Sequence, residues 1–230
     1  MFASLLQQNR DRVPPHAFYR PYQNPGINQL YNLLFCDNFS LFASGDASDG
    51  PLVEVLSDTP DREALERIGN DLDVESRVRA LAFRRLQAMR MPVPSGRLLG
   101  VIIEWPQQSG LDVLAAFPDG RLRYINHAEK LAIFESAPPD LVGQADELLR
   151  VSQHIVDRSG PWGRPRLPPP QGDLIRMNFL VSDGLYFGQG SHSALMEDLF
   201  APPVINAAMR LLHMLVDAAL ANEKKSRMLH

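Results

Sequence analysis

In the stretch RLLGVIIEWPQQSGLDVLAAFPDGRLRYINH, residues 97–127, apolar side chains recur with the period of a strand rather than a helix. Strands are expected at about 97–105, 111–117 and 121–127, with a fourth at 131–135. Pro118-Asp119-Gly120 supplies a hairpin turn, because Asp-Gly tolerates the positive φ angles that match strand twist. With Asp119-Gly120 as a two-residue loop, Phe117 lies opposite Leu122, Ala115 opposite Tyr124 and Val113 opposite Asn126. The other face then carries Asp112, Leu114, Ala116, Arg123, Ile125 and His127. A slip of one residue would set Arg121 and Arg123 among Val113, Ala115 and Phe117, which argues for the first register.

A second Asp-Gly reversal, Asp183-Gly184, joins strands at 174–182 and 185–189. Ile175, Met177, Phe179 and Val181 form one apolar face of this hairpin, with Arg176, Asn178 and Gln189 on the other. Helical spacing governs the rest of the chain. Ile27, Leu30, Tyr31 and Leu34 mark a short buried helix, and an acidic helix follows Thr59 with Pro60 at its first position. A longer helix spans Val74 to Arg90, and another runs from Pro138-Pro139 to Gly160. A last one, about 203–222, carries only Asn206, Arg210, His213 and Asp217 as a narrow polar stripe, so it is mostly buried. The proline-rich stretch 160–172 between the fourth helix and the second hairpin reads as a stiff linker, and the segment Arg164 to Pro170 also suits a polyproline II ligand of aromatic grooves.

The expected fold is therefore α+β, an antiparallel sheet of a four-strand meander plus a later hairpin. The helices near 139–158 and 203–222 cover one face, and the earlier helices lie at an edge or on the second face. The chain of 230 residues is taken as a single domain. Its parts are an extended arm at 1–26 rich in proline and aromatics, a mainly helical part at 27–92, the sheet-plus-helix core at 97–222 and a charged tail at 223–230. The small and polar residues of 43–51 form a loop suited to a boundary or a mobile turn.

Composition narrows the function classes. A net charge of -4 argues against a dedicated binder of nucleic acid or anionic membranes. Mean hydropathy is -0.17, no apolar run approaches the roughly twenty residues that span a bilayer, and the N-terminus lacks a secretory pattern. Cys36 is the single cysteine and sits in an apolar run, so it packs as a small hydrophobe, and a reducing cytoplasm is the default location.

No motif for chemistry is complete. The histidines 16, 127, 154, 192, 213 and 230 are scattered without metal-ligand spacing, so neither metal nor cofactor is expected. Ser191-His192-Ser193 has the residue types of acyl transfer without the nucleophile elbow, and reads as a polar loop capping the next element. Glu104, alone between Ile103 and Trp105 in an apolar strand, is the acid expected to be partly buried, with Arg123 or Arg176 as its ion-pair partner. Glu104, Asp112, Arg123, His127, Arg176 and Asn178 make up the candidate functional surface.

Three functions fit these features. The leading one is a non-enzymatic accessory protein, able to form a homo-oligomer, that binds a protein partner through sheet surface, arm or loops. The first alternative is a hydrolase-type enzyme assembled from Glu104, His127 and His192. The second is phosphate or nucleic-acid binding by the arginine-rich helix 74–90, whose Arg77, Arg79, Arg84, Arg85 and Arg90 are more simply a solvated face.

Overall fold

The computed structural model describes residues 18–43 and 50–228. Leu98–Gln107 (β1), Gly110–Ala116 (β2), Leu122–Ile125 (β3), Leu131–Phe134 (β4), Leu174–Val181 (β5) and Gly184–Ser191 (β6) form one antiparallel sheet. Their spatial order is β4-β3-β2-β1-β5-β6. The meander therefore grows outward from β1, and the later hairpin returns to close its other side. Helices Pro25–Leu33 (α1), Pro51–Leu56 (α2), Arg62–Asn70 (α3) and Ser76–Ala88 (α4) pack on one face of the sheet. Pro139–Val156 (α5), His192–Glu197 (α6) and Ala201–Met228 (α7) pack on the other.

Two helical layers on one sheet require its central strands to be apolar on both sides. β1 answers that requirement residue by residue: Val101, Ile103 and Trp105 enter the core under α5 and α7, while Leu99 and Ile102 enter the core under α1 and α4. Local signals fix the helix ends. Asn24 caps α1 by accepting the Gly26 and Ile27 amides, and Glu129, in the β3–β4 turn, accepts the Gln23 and Asn24 amides just ahead of that cap. Asp61 caps α3, so Pro60 precedes the helix instead of opening it. Ser191 caps α6 by accepting the Ala194 amide.

The expected register of the first hairpin is corrected. Gly120 N–H donates to Phe117 C=O and Phe117 N–H to Arg121 C=O, so the turn holds three residues, Pro118 to Gly120. Ala116 then faces Leu122, Ala115 faces Arg123 and Leu114 faces Tyr124. Arg123 and Ile125 lie on the face of Val113 and Ala115, the arrangement that the alternation had argued against. Arg123 is tolerated there because its guanidinium donates to Leu122 C=O, Phe134 C=O and the Glu135 carboxylate. In the second hairpin Val181 pairs with Gly184, which places the turn at Ser182-Asp183, one residue early.

The C-terminal region is also corrected. α7 runs through the charged segment to Met228, and its 28 residues extend about 42 Å at 1.5 Å per residue. By length and composition Ala201–Ala221 suffices to cross a membrane, contrary to the expectation that no run comes near that length. Its first half is a core element, with Ala201, Val204, Ile205, Ala207, Ala208, Leu211 and Leu215 buried. Of the expected arm, Phe18 to Asn24 is described and lacks regular structure; residues 1–17 lie outside the described residues, as does most of the 43–51 loop.

Gly100 sits where a β-bulge interrupts the β1–β5 pairing, and a Cβ there would come within 2.8 Å of the Phe117 ring. G100A is expected to cost about 1–3 kcal/mol through overpacking. The denaturation midpoint reads this loss, and an unchanged midpoint refutes the close packing.

Candidate functional site

A buried polar network starts at Glu104 in the central strand. Its neighbours across the sheet are Val113 and Arg176, which point to the α1 side along with Ile102 and Asn178. Glu104 is only 1 % exposed. A carboxylate taken so far from water must find donors, and two neutral ones reach it: Tyr31 Oη at 2.7 Å from Oε1 and Asn178 Nδ2 at 2.9 Å from Oε2. Arg176 Nη1 stands farther away, at 3.8 Å, and makes its own bonds to Gln189 and to Pro168 C=O. The carboxylate is thus held chiefly by hydrogen bonds, with the ion pair secondary.

Tyr31 links this group to a second buried charge. Arg166, from the proline-rich segment, donates to Tyr31 Oη, to Asn32 Oδ1 and, through Nε at 2.7 Å, to Asp37 Oδ2. Its guanidinium lies 3.8 Å from the Phe35 ring centroid, 4.9 Å from Tyr19 and 5.4 Å from Tyr31, within cation–π range of all three. Burial, reinforced by the charge of Glu104, pushes the Tyr31 hydroxyl well above its ordinary value, so it serves as a fixed donor. Spacing alone gave no sign of Tyr31 or Arg166 as partners of Glu104. The signal available in the sequence was the RPRLPPP segment, whose arginine had no assigned place.

The six expected surface residues do not form one site. Glu104, Arg176 and Asn178 belong to the buried network. Arg123 shares their face of the sheet but bonds to Glu135, whose carboxyl is pushed up by burial and, with greater effect, drawn down by Arg123 and Arg121 to below the usual range. Asp112 pairs with Trp105 and so points to the opposite face. There it accepts the His127 amide at 2.7 Å and sits 3.0 Å from His127 Nδ1. Burial, and then the charge and hydrogen bond of Asp112, push the Tyr124 hydroxyl up to about 12.

An acid orienting a histidine is part of the machinery of a general base. No serine or cysteine bonds to the His127 ring among the described residues, and Cys36 is fully buried. His192 opens α6 and has no bond to Glu104 or His127. A cavity of about 450 Å³ lies elsewhere, along α5, lined by Leu98, Asp146, Arg150 and His154 among others. No group of three metal-ligating side chains occurs among the described residues.

The arginines of α4 are largely engaged within the fold. Arg79 is buried and donates to Gly69 C=O, Arg77 pairs with Glu75, and Arg85 donates to Ser57 C=O while lying over the Phe39 ring. The chain matches no protein-family model, and no curated protein or solved structure matches it.

Two outcomes test the network and its surroundings. Y31F strips one donor from Glu104 and one acceptor from Arg166, and should lower stability by about 1–3 kcal/mol in denaturant unfolding. The buried Cys36 thiol is pushed by burial from 9.0 up to about 12. Because the folded value is raised, this contribution is complete below pH 9 and drains away as pH rises from 9 toward 12. The unfolding midpoint should therefore fall across that window, and C36A should flatten the fall; an unaltered slope in C36A refutes the burial argument.

Proposed function

We propose that this chain is a non-enzymatic accessory protein that binds a partner protein along the β4 edge of its sheet, the partner adding an extended segment as a further strand. The observation that carries the proposal is the apolar, uncharged character of that edge. Asn126 N–H donates to Lys130 C=O at 3.0 Å and closes the β3–β4 turn. Opposed residues of an antiparallel pair alternate between bonded and non-bonded sites, so Leu131 and Ile133 turn their own N–H and C=O groups outward. These two residues are 41 % and 45 % exposed. Native edge strands are commonly blunted by shortness, charge, proline or a bulge; Leu131–Phe134 is short, at four residues, but contains no charge, proline or bulge.

Leu131 and Ile133 also border a small cavity lined by Leu30, Leu34 and Ile125, with Arg77 and Arg123 among its walls. A partner strand with apolar residues two apart matches this edge, its backbone providing affinity and its side chains specificity. A reducing cytoplasm is the proposed setting, on the strength of the lone Cys36 thiol. The enzymatic alternative draws on one observation, the Asp112–His127 pair; hydrolysis of acyl substrates that disappears in H127A would favour it.

A photo-reactive residue at position 131 is expected to capture a partner from the native host, with capture falling at least tenfold in I133K. Equal capture by I133K overturns the proposal. Self-cross-linking alone, with a dimer in solution, assigns the edge to a second copy and overturns the choice of a foreign partner.

A further inference from the structure

The stretch from Gly160 to Gly172, expected as a stiff linker, is a strap laid over α1 and the β6 edge. It contains no helix or strand, and Pro165 and Pro168 are exposed along it. It is fastened at separated points, several of them sequence-independent. Trp162 N–H donates to Leu185 C=O at 2.7 Å, Tyr19 Oη donates to Arg166 C=O at 2.7 Å and Arg176 Nη1 donates to Pro168 C=O at 2.6 Å. Between them one side chain, that of Arg166, enters a pocket walled by Tyr19, Tyr31, Phe35 and Asp37. Backbone carbonyls held at intervals, prolines and one arginine against aromatic rings and an acid are how protein grooves take extended proline-rich peptides.

A local backbone turn helps to shape the pocket. Cys36 adopts φ 50, a left-handed turn between Phe35 and Asp37 that brings both side chains to the same guanidinium. The strap also leaves it unsaturated. Arg166 Nε donates to Asp37 Oδ2, while Asp37 Oδ1 is buried with no hydrogen-bond partner. Carboxylates that recognise arginine commonly use both oxygens against the fork of donors, so an arginine free of the strap's tether can make a contact here that Arg166 does not.

We propose that the pocket of Tyr19, Tyr31, Phe35 and Asp37 is a recognition site for an arginine carried on an extended proline-rich segment of a partner protein, occupied in this chain by its own strap. The strap is then a ligand in cis. Its tether holds it at an effective concentration on the order of millimolar, so a segment in trans competes poorly until the strap is weakened or released. The site lies at α1, and it stands or falls separately from the β4 edge.

The test uses the full-length chain and a fluorescent peptide of sequence GRPRLPPP. R166A vacates the pocket and should bind this peptide at least about tenfold more tightly than the wild type does, by anisotropy. The same peptide with its second arginine replaced by alanine should lose that binding. R166A that folds, by circular dichroism, yet binds neither peptide or binds both equally overturns the proposal. If R166A is unfolded alone, the arginine peptide should restore its thermal transition and the alanine peptide should not; failure of that restoration overturns the proposal as well.

Discussion

Glu104 is the constraint on which one half of the molecule depends. A carboxylate in the middle of the central strand is stable only while donors surround it, and these come from three distant parts of the chain: Tyr31 on α1, Asn178 on β5 and, through Tyr31, Arg166 on the strap. Satisfying one charge thus fixes where α1 lies, how β5 registers against β1 and where the strap crosses. Replacement of such a network by apolar side chains is often neutral or stabilising elsewhere. What it does here is tie together three segments far apart in sequence.

The opposite face of the sheet is built differently. Under α5 and α7 the core is almost purely apolar apart from the buried Ser152, and Asp112 with His127 and Tyr124 sits at its rim. The molecule therefore has a polar, highly specified layer on one side and a plain hydrophobic layer on the other, divided by a sheet whose central strands serve both.

Much of this architecture was legible because strand alternation and Asp-Gly turns are local signals. Both hairpins, the meander and the shared face of Arg176 and Asn178 follow from them, and helical spacing marks the long helices. The misread register has a specific cause. Period-two patterning disfavours a buried arginine, and it could not show that Leu122, Phe134 and Glu135 would supply Arg123 with acceptors. The partners of Glu104 were hidden for a related reason: Tyr31 looked like one more apolar helix residue, and Arg166 belonged to a segment without periodicity. Such contacts join positions far apart in sequence, and no short window contains both halves.

The order of the strands bears on how the chain is made. β1 is complete once its own hairpin forms, yet its other side must wait for β5, whose Arg176 pairs with Glu104. At ribosomal rates of about 5–20 residues per second, that delay lasts roughly 4–15 seconds. Throughout it β1 has one bare margin, and Glu104 lacks its Asn178 donor. The nascent protein is thus most exposed to mispairing in the interval before β5 emerges, and a chaperone acting on it would find its substrate there.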